Sequence, residues 1–258
     1  MRNFGTEAPE RRSFIYGIHP VLEAIAAGKE LESLLVQKGM AGEQLQQLKE
    51  RARIHDIVIQ FVPVEKLNRI TRKVHQGVLA FISPISYQRI DYLIPQLFEE
   101  GKVPLVLMLD RITDVRNFGA IARSAHCLGA NALIVPTRGS APVSEDAVKT
   151  SAGALLKIPV CREPNLKNTL RYLKDSGLQV IACTEKSDNL IDSVNWTLPS
   201  CIILGSEEDG ISDAYRDYCD KQVGIPMRGS IESLNVSVSA GIILYEGLRQ
   251  RSIFKILD

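Results

Sequence analysis

The chain has 258 residues, with 31 Lys and Arg against 30 Asp and Glu, so no global field selects a polyanionic partner or a membrane surface. No stretch approaches the roughly 18 apolar residues of a membrane span, and the opening MRNFGTEAPERRSF lacks the apolar core of a signal peptide and reads as disordered over its first dozen residues. Five cysteines (Cys127, Cys161, Cys183, Cys201 and Cys219) form no CxxC pair and no His/Cys metal spacing, which predicts buried thiols in a reducing cytoplasm and no metal site.

Residues 13–84 read as a compact α/β unit in the order helix, strand, helix, strand, helix, strand. FIYGIHPVLEAIAAG places Val21, Leu22, Ile25 and Ala26 at helical spacing, with Pro20 in the first turn and Gly28 at the C-terminal end. LESLLVQK, IVIQFV and QGVLAFIS are the strands; GEQLQQLKERARIHD and VEKLNRIT are the remaining helices. Residues 1–84 carry twelve Lys and Arg against nine Asp and Glu, a net of +3, which suits RNA and equally suits a solvated mixed surface. Pro84, Pro95, Gly101 and Pro104 punctuate a connector, read as a linker over 85–102 with a short helix from Tyr92 to Glu100.

From Val103 strands and helices alternate. PLVLMLD, ALIVP, QVIACT, SCIILGS and VGIPM are strands. NFGAIARSAHCLG, DAVKTSAGALLKIP, LKNTLRYLKDSG, DAYRDYCD and LNVSVSAGIILYEGLRQRS are helices. Continuous β-branched strands between helices predict a parallel sheet covered on both faces. No GxGxxG follows a strand, GSEEDG lacks the P-loop lysine, and no GxSxG elbow is present, which argues against dinucleotide binding, nucleotide hydrolysis and a Ser/His/Asp hydrolase. His126 reads as a core or groove histidine.

Three segments carry candidate chemistry. In LDRITDVRNFGAIARSA a strand delivers Asp110, a polar loop follows, and Gly119 permits close backbone approach at a helix start. Asn117 and Arg123 can face one pocket mouth, or Asn117 can be an N-cap and Arg123 a surface cation. In LGSEEDG, Gly205 at a strand end allows tight backbone contact with a planar ligand and Glu207 can pair with a cation, while Glu208 and Asp209 complement a helix dipole. In IPMRGSIESLNVSVSAG, Pro226 and Gly229 force an irregular loop whose unpaired backbone groups need partners, and Ser233 reads as an N-cap or near it. Asn235, Ser237 and Ser239 either face a site or allow close helix packing.

N-x-G-x-x-x-R, LG-S-E-x-x-G and IPM-x-G-x-x-x-SLNVSVSAG, in that order over residues 103–250, resemble the three motifs of the SpoU (TrmH-type) branch of the SPOUT RNA methyltransferases. IYGIHPVLEAI and VHQGVLAF resemble the small RNA substrate-binding domain of that family's rRNA members. The resemblance implies an α/β fold with a C-terminal trefoil-knot domain over 103–258, a homodimer whose active sites use both subunits, and S-adenosylmethionine as cofactor. It implies 2′-O-methylation of a guanosine ribose in 23S rRNA, with a tRNA ribose or a non-catalytic RNA-binding role as alternatives. It places Gly205, Ile225, Met227, Leu234 and Thr184 around the adenosyl group. Arg123 stands where the family has its proposed base. An arginine pKa above about 12 makes alkoxide stabilisation and phosphate binding the alternative, with Glu207, Asn117, Ser233 and Asn235 orienting Arg123 and the donor. The sulfonium is already activated, so no metal is implied.

Overall fold

The computed structural model describes residues 13–254; the N-terminal stretch read as disordered lies outside them. The chain divides into two compact units. One runs to Pro84 and takes in Val143–Asp146, and the other comprises Ile85–Pro142 and Ala147 onward.

The first unit runs β1 (Phe14–Tyr16), α1 (Ile18–Ala26), β2 (Leu31–Gln37), α2 (Glu43–Ile54), β3 (Ile59–Val62), α3 (Val64–Ile70) and β4 (Val78–Ile82). Its sheet has the order β1-β4-β2-β3, with β2 and β3 parallel and the β4 pairings antiparallel. The strand period of two splits the apolar residues between faces. Leu34, Val36 and Ala80 pack under Val21, Ile25, Leu45 and Leu48 of α1 and α2. Leu35 and Leu79 meet Leu67 of α3 on the other side. Gly28, at φ +70, ends α1 as expected: Lys29 N–H donates to Ala24 and Gly28 N–H to Ile25, the paired bonds of a left-handed C-terminal cap. The sequence pattern missed β1, whose three residues are too few for a period to show.

The second unit begins with α4 (Ile90–Glu99), then β5 (Leu105–Leu109), α5 (Val115–Cys127), β6 (Ala132–Pro136), α6 (Glu145–Thr150), β7 (Val160–Glu163) and α7 (Leu166–Asp175). It continues with β8 (Gln179–Cys183), β9 (Ser200–Leu204), α8 (Asp213–Arg216), β10 (Lys221–Val223) and α9 (Val236–Phe254). The six strands are all parallel, in the order β10-β8-β9-β5-β6-β7. The stretch 85–102, read as a linker, carries α4. Its Ile90, Leu93, Ile94 and Leu97 are buried in one core with Val106, Met108, Ile134, Leu170, Val180 and Ile203. On the opposite sheet face α5 and α9 pack on each other and over β5, where Gly247 of α9 comes close to the Leu105 side chain.

Four expected elements have different bounds, and one of them, the helix expected over DAYRDYCD, stops at Arg216. The helix over DAVKTSAGALLKIP stops at Thr150, where Ala152 and Gly153 take positive φ, and the following VCRE is β7. The strand expected through Met227 ends at Val223. Gly224 turns its N–H to Asn189 and its carbonyl to Ile191, away from the sheet, and Pro226 has no N–H to donate. The last helix starts at Val236, two residues later than its apolar pattern suggested.

Arg251 ties α9 to the loop before β9. Its guanidinium donates to the carbonyls of Trp196 (2.8 Å), Val103 (2.7 Å), Leu198 (3.0 Å) and Pro104 (3.3 Å), beside the fully buried Trp196 ring. Burial pulls its pKa down to about 10, which leaves it cationic at neutral pH. Arg251→Met keeps the volume and strands those carbonyls. The expected loss is about 2–4 kcal/mol of stability by denaturant titration, and an unchanged midpoint would show that α9 is held by packing alone.

Candidate functional site

Strands β8, β9 and β10 deliver their C-terminal ends to one opening, the place where parallel α/β sheets bind ligands. A cavity of about 350 Å³ lies there, within the usual size range of small-molecule sites. Thr184, Gly205, Ile225, Met227 and Leu234, the five residues expected around a cofactor, all line it, and so do Glu207, Ser233 and Asn235. Met227 and Leu234 present partly exposed apolar side chains to it. The ionisable carboxyls and amines in the lining are Glu185, Glu207, Glu208, Asp209 and Glu232 against Lys186 alone. That rim repels a polyphosphate and favours a cationic ligand.

Gly205 is required for a reason other than ligand contact. A Cβ there would stand 2.1 Å from the carbonyl carbon of Gly210 and 2.2 Å from the nitrogen of Ile211, so the returning loop occupies the space a side chain would need. The loop is closed by reciprocal backbone bonds between Ser206 and Gly210 (3.0 and 3.2 Å). Gly119 has the approach expected of it: a Cβ would meet the Ala147 carbonyl at 3.0 Å and the Thr150 side chain at 2.8 Å.

The three candidate segments meet at Asn235. Its amide donates to Glu207 Oε1 at 2.6 Å and to Asn117 Oδ1 at 3.0 Å. Its own oxygen accepts from Ser237 N–H at 3.0 Å, so Asn235 caps α9. Ser233 lies two residues outside the cap. Asn117 is not an N-cap, because Asp114 holds that place on α5 and accepts from Asn117 N–H at 2.8 Å. Ser237 is engaged at the cap and Ser239 lines the cavity.

Arg123 stands apart. It is exposed on α5 and makes no hydrogen bond or ion pair with the described residues, so it does not join the Asn117–Asn235–Glu207 chain within this subunit. The step of six residues from Asn117 to Arg123 turns a helix by about 240°, which carries the two side chains to different faces. His126, read as a core or groove residue, is exposed in the last turn of α5.

Arg111 went unsingled in the sequence, and Asp110 was noted only as the residue a strand delivers. Asp110, 2 % exposed at the end of β5, accepts Ser212 N–H at 2.8 Å and pairs with Arg111. Arg111 has φ +58, a left-handed conformation that costs a non-glycine residue about 1 kcal/mol or more. It also donates to Asp209 Oδ2 and to the Gly210 carbonyl, both at 2.9 Å. The hydrogen bond to Asp110, against the cost of burial, holds its pKa above the usual value. The signal available was a charged pair directly after an all-apolar strand, with its partners 98 residues away.

Three of the five thiols are unsuited to nucleophilic roles, whereas Cys127, expected to be buried, is exposed at the end of α5. Burial pushes Cys161 up to about 12, and it raises the buried Cys201 and the cavity-lining Cys183 as well. Among the described residues no group of three or more His, Cys, Asp or Glu is placed to hold a metal, and no helix is long and apolar enough to cross a membrane.

Residues 104–245 match the SpoU rRNA Methylase family and residues 14–88 match the RNA 2′-O ribose methyltransferase substrate-binding family. A TrmH-family tRNA/rRNA methyltransferase of Staphylococcus saprophyticus is 34% identical over 238 residues, 92% of this chain and 96% of the relative. An uncharacterized tRNA/rRNA methyltransferase of Mycolicibacterium paratuberculosis is 40% identical over 94% of this chain and 79% of its own. The crystal structure of the SpoU methyltransferase AviRb from Streptomyces viridochromogenes, solved with AdoMet, superposes with a TM-score of 0.60 at 26% identity, over 93% of this chain and 90% of that one. The A. aeolicus TrmH/SpoU tRNA modifying enzyme has a TM-score of 0.55 at 27% identity and covers 64% of this chain and 86% of its own. The chain belongs to the SpoU/TrmH family of tRNA/rRNA methyltransferases, in the SPOUT class.

Replacing Gly205 by Ala forces the Gly210–Ile211 backbone outward by more than an ångström. The variant should lose stability by about 2–4 kcal/mol and lose ligand binding in the cavity with it. Wild-type melting of Gly205→Ala would show that the loop has slack the geometry denies.

Proposed function

We propose that this protein transfers a methyl group from S-adenosylmethionine to the 2′-hydroxyl of a guanosine ribose in 23S rRNA. The observation that carries this is the cavity itself: a SpoU-family sheet end, rimmed by five carboxylates and one lysine and bounded by two of the three motif segments, with Asn117 of the remaining one bonded to Asn235 at its mouth. A sulfonium donor with an α-amino group is cationic, so the acidic rim favours it, and Met227 and Leu234 offer apolar cover for an adenine. When bound, the donor supplies an activated methyl group. Thr184, Gly205, Ile225, Met227 and Leu234 hold it, largely through backbone groups at the strand ends.

The alcohol is a weak nucleophile that must shed its proton at or before attack. Asn235 is fixed by Asn117 and Glu207 and sets the mouth of the cavity, with Ser233 beside it. Arg123 binds the phosphate next to the target ribose and stabilises the developing alkoxide, a role suited to a permanent cation. Its isolation within one subunit favours a homodimer whose active site is completed across the two-fold axis. The apolar residues of α9 support the dimer: Val236, Ala240, Ile243 and Leu244 are buried, while Val238 and Tyr245 on the same helix are 49% and 60% exposed. The trefoil knot remains what the family resemblance implies for residues 103–258.

The domain boundary proposed for RNA binding is 13–84, supported by the family match over 14–88. That domain favours rRNA over tRNA, since the tRNA modifying structure covers only 64% of this chain. Five free cysteines suit the reducing cytoplasm proposed for the protein.

Tritium from labelled S-adenosylmethionine should enter deproteinised 23S rRNA as a 2′-O-methylguanosine, and Arg123→Ala should reduce transfer by at least about a hundredfold while the donor still binds. Label confined to tRNA overturns the substrate, and normal turnover by Arg123→Ala overturns its role. For the dimer, Tyr245→Glu should shift the sedimenting species toward monomer; a monomeric wild type with full activity would remove the shared-site reading.

A further inference from the structure

We propose that Arg111 is a positioning residue that sets the shape of the donor pocket from outside it; the proposal rests on the reading of the cavity as a methyl-donor site. Arg111 is not itself in the cavity lining, whereas two of the groups it grips, Asp209 and Gly210, are. Its guanidinium is engaged at all three nitrogens. Nε and Nη2 lie 3.1 Å from the two oxygens of Asp110, Nη1 lies 2.9 Å from Asp209, and Nη2 lies 2.9 Å from the Gly210 carbonyl. Asp110 is buried at the end of the central strand β5 and also accepts from Ser212 N–H, at the far end of the same loop. One ion pair anchored in the sheet therefore fixes the 205–212 loop at Asp209, Gly210 and Ser212.

The loop needs such an anchor. Its closure at Gly205 leaves no steric tolerance, and Glu207 within it must meet Asn235 at 2.6 Å to align the start of α9. An exposed acidic turn of Glu207, Glu208 and Asp209 repels itself, and the Arg111 cation offsets that repulsion. The backbone at Arg111 is left-handed, which glycine would adopt without strain. A strained conformation kept for an arginine is explained when the side chain has work at that position.

The strain supplies a discriminating test. Arg111→Gly relieves the backbone while removing the clamp, so it should fold with a melting temperature no lower than that of Arg111→Ala. Both variants should bind S-adenosylmethionine roughly tenfold more weakly by calorimetry, the loss expected of charge-assisted hydrogen bonds. The KM for the donor should rise by a similar factor, with the KM for 23S rRNA unchanged. Arg111→Lys, which can reach one acceptor at a time, should restore part of the donor affinity, and it serves as the test if the glycine variant does not fold. Wild-type donor affinity in Arg111→Gly overturns the proposal. Equal losses for donor and RNA also overturn it, since they mark a general structural role. Failure of the wild-type protein to bind S-adenosylmethionine at all would instead overturn the reading of the cavity.

Discussion

The site depends on one steric constraint, the return of the chain across the end of β9. Gly210 and Ile211 pass so close to Gly205 that no side chain fits between them. That contact turns the strand end into a closed loop, and the closed loop gives Glu207 a defined position. Glu207 then fixes Asn235, which caps α9 with its other amide atom. A single asparagine thus serves as the junction of a strand-end loop, the start of α5 through Asn117, and the start of α9. Removing any of the three partners leaves an amide or a carboxylate near the cavity without its bond, a cost larger than the net gain of making one.

Much of the fold could be read from apolar runs. The strands at Leu105–Leu109, Ala132–Pro136, Gln179–Cys183 and Ser200–Leu204 are continuous buried segments of the kind that only a doubly covered parallel sheet accommodates. What was not legible was local and polar. The three-residue β1 is recognised only through its partner Leu79–Phe81. β7 was masked because Ala154 and Leu155 continue a helical pattern that Ala152 and Gly153 break through their dihedrals. The stretch 85–102 looked like a linker by its prolines, yet Ile90, Leu93, Ile94 and Leu97 recur at helical spacing and are buried in the second unit.

The candidate site was legible as residue types but not as an arrangement. Asn117, Glu207 and Asn235 lie far apart in sequence and converge only through the order β9-β5 at the sheet centre. Gly205 lines the cavity as expected, and its missing side chain also makes room for the protein's own backbone. Arg123 was read either as facing one pocket mouth with Asn117 or as a surface cation, and within the subunit it is exposed on α5 and apart from Asn117.

The charges then divide the labour of the site. Five carboxylates at the cavity rim favour a cationic donor and oppose an RNA backbone. An enzyme that brings those two substrates together must hold the RNA phosphates elsewhere, with cations near enough to reach the acceptor and far enough from the rim to stay unpaired. Arg116 and Arg123 are both exposed on α5, the helix whose first turn supplies Asn117 to the polar chain. Had Arg123 been drawn into an ion pair with Glu207, its charge would be neutralised before any substrate arrived. Its isolation within one subunit is compatible with the phosphate-binding and alkoxide-stabilising role proposed for it, and the near-zero net charge of the chain conceals a local separation of sign between the cavity rim and α5.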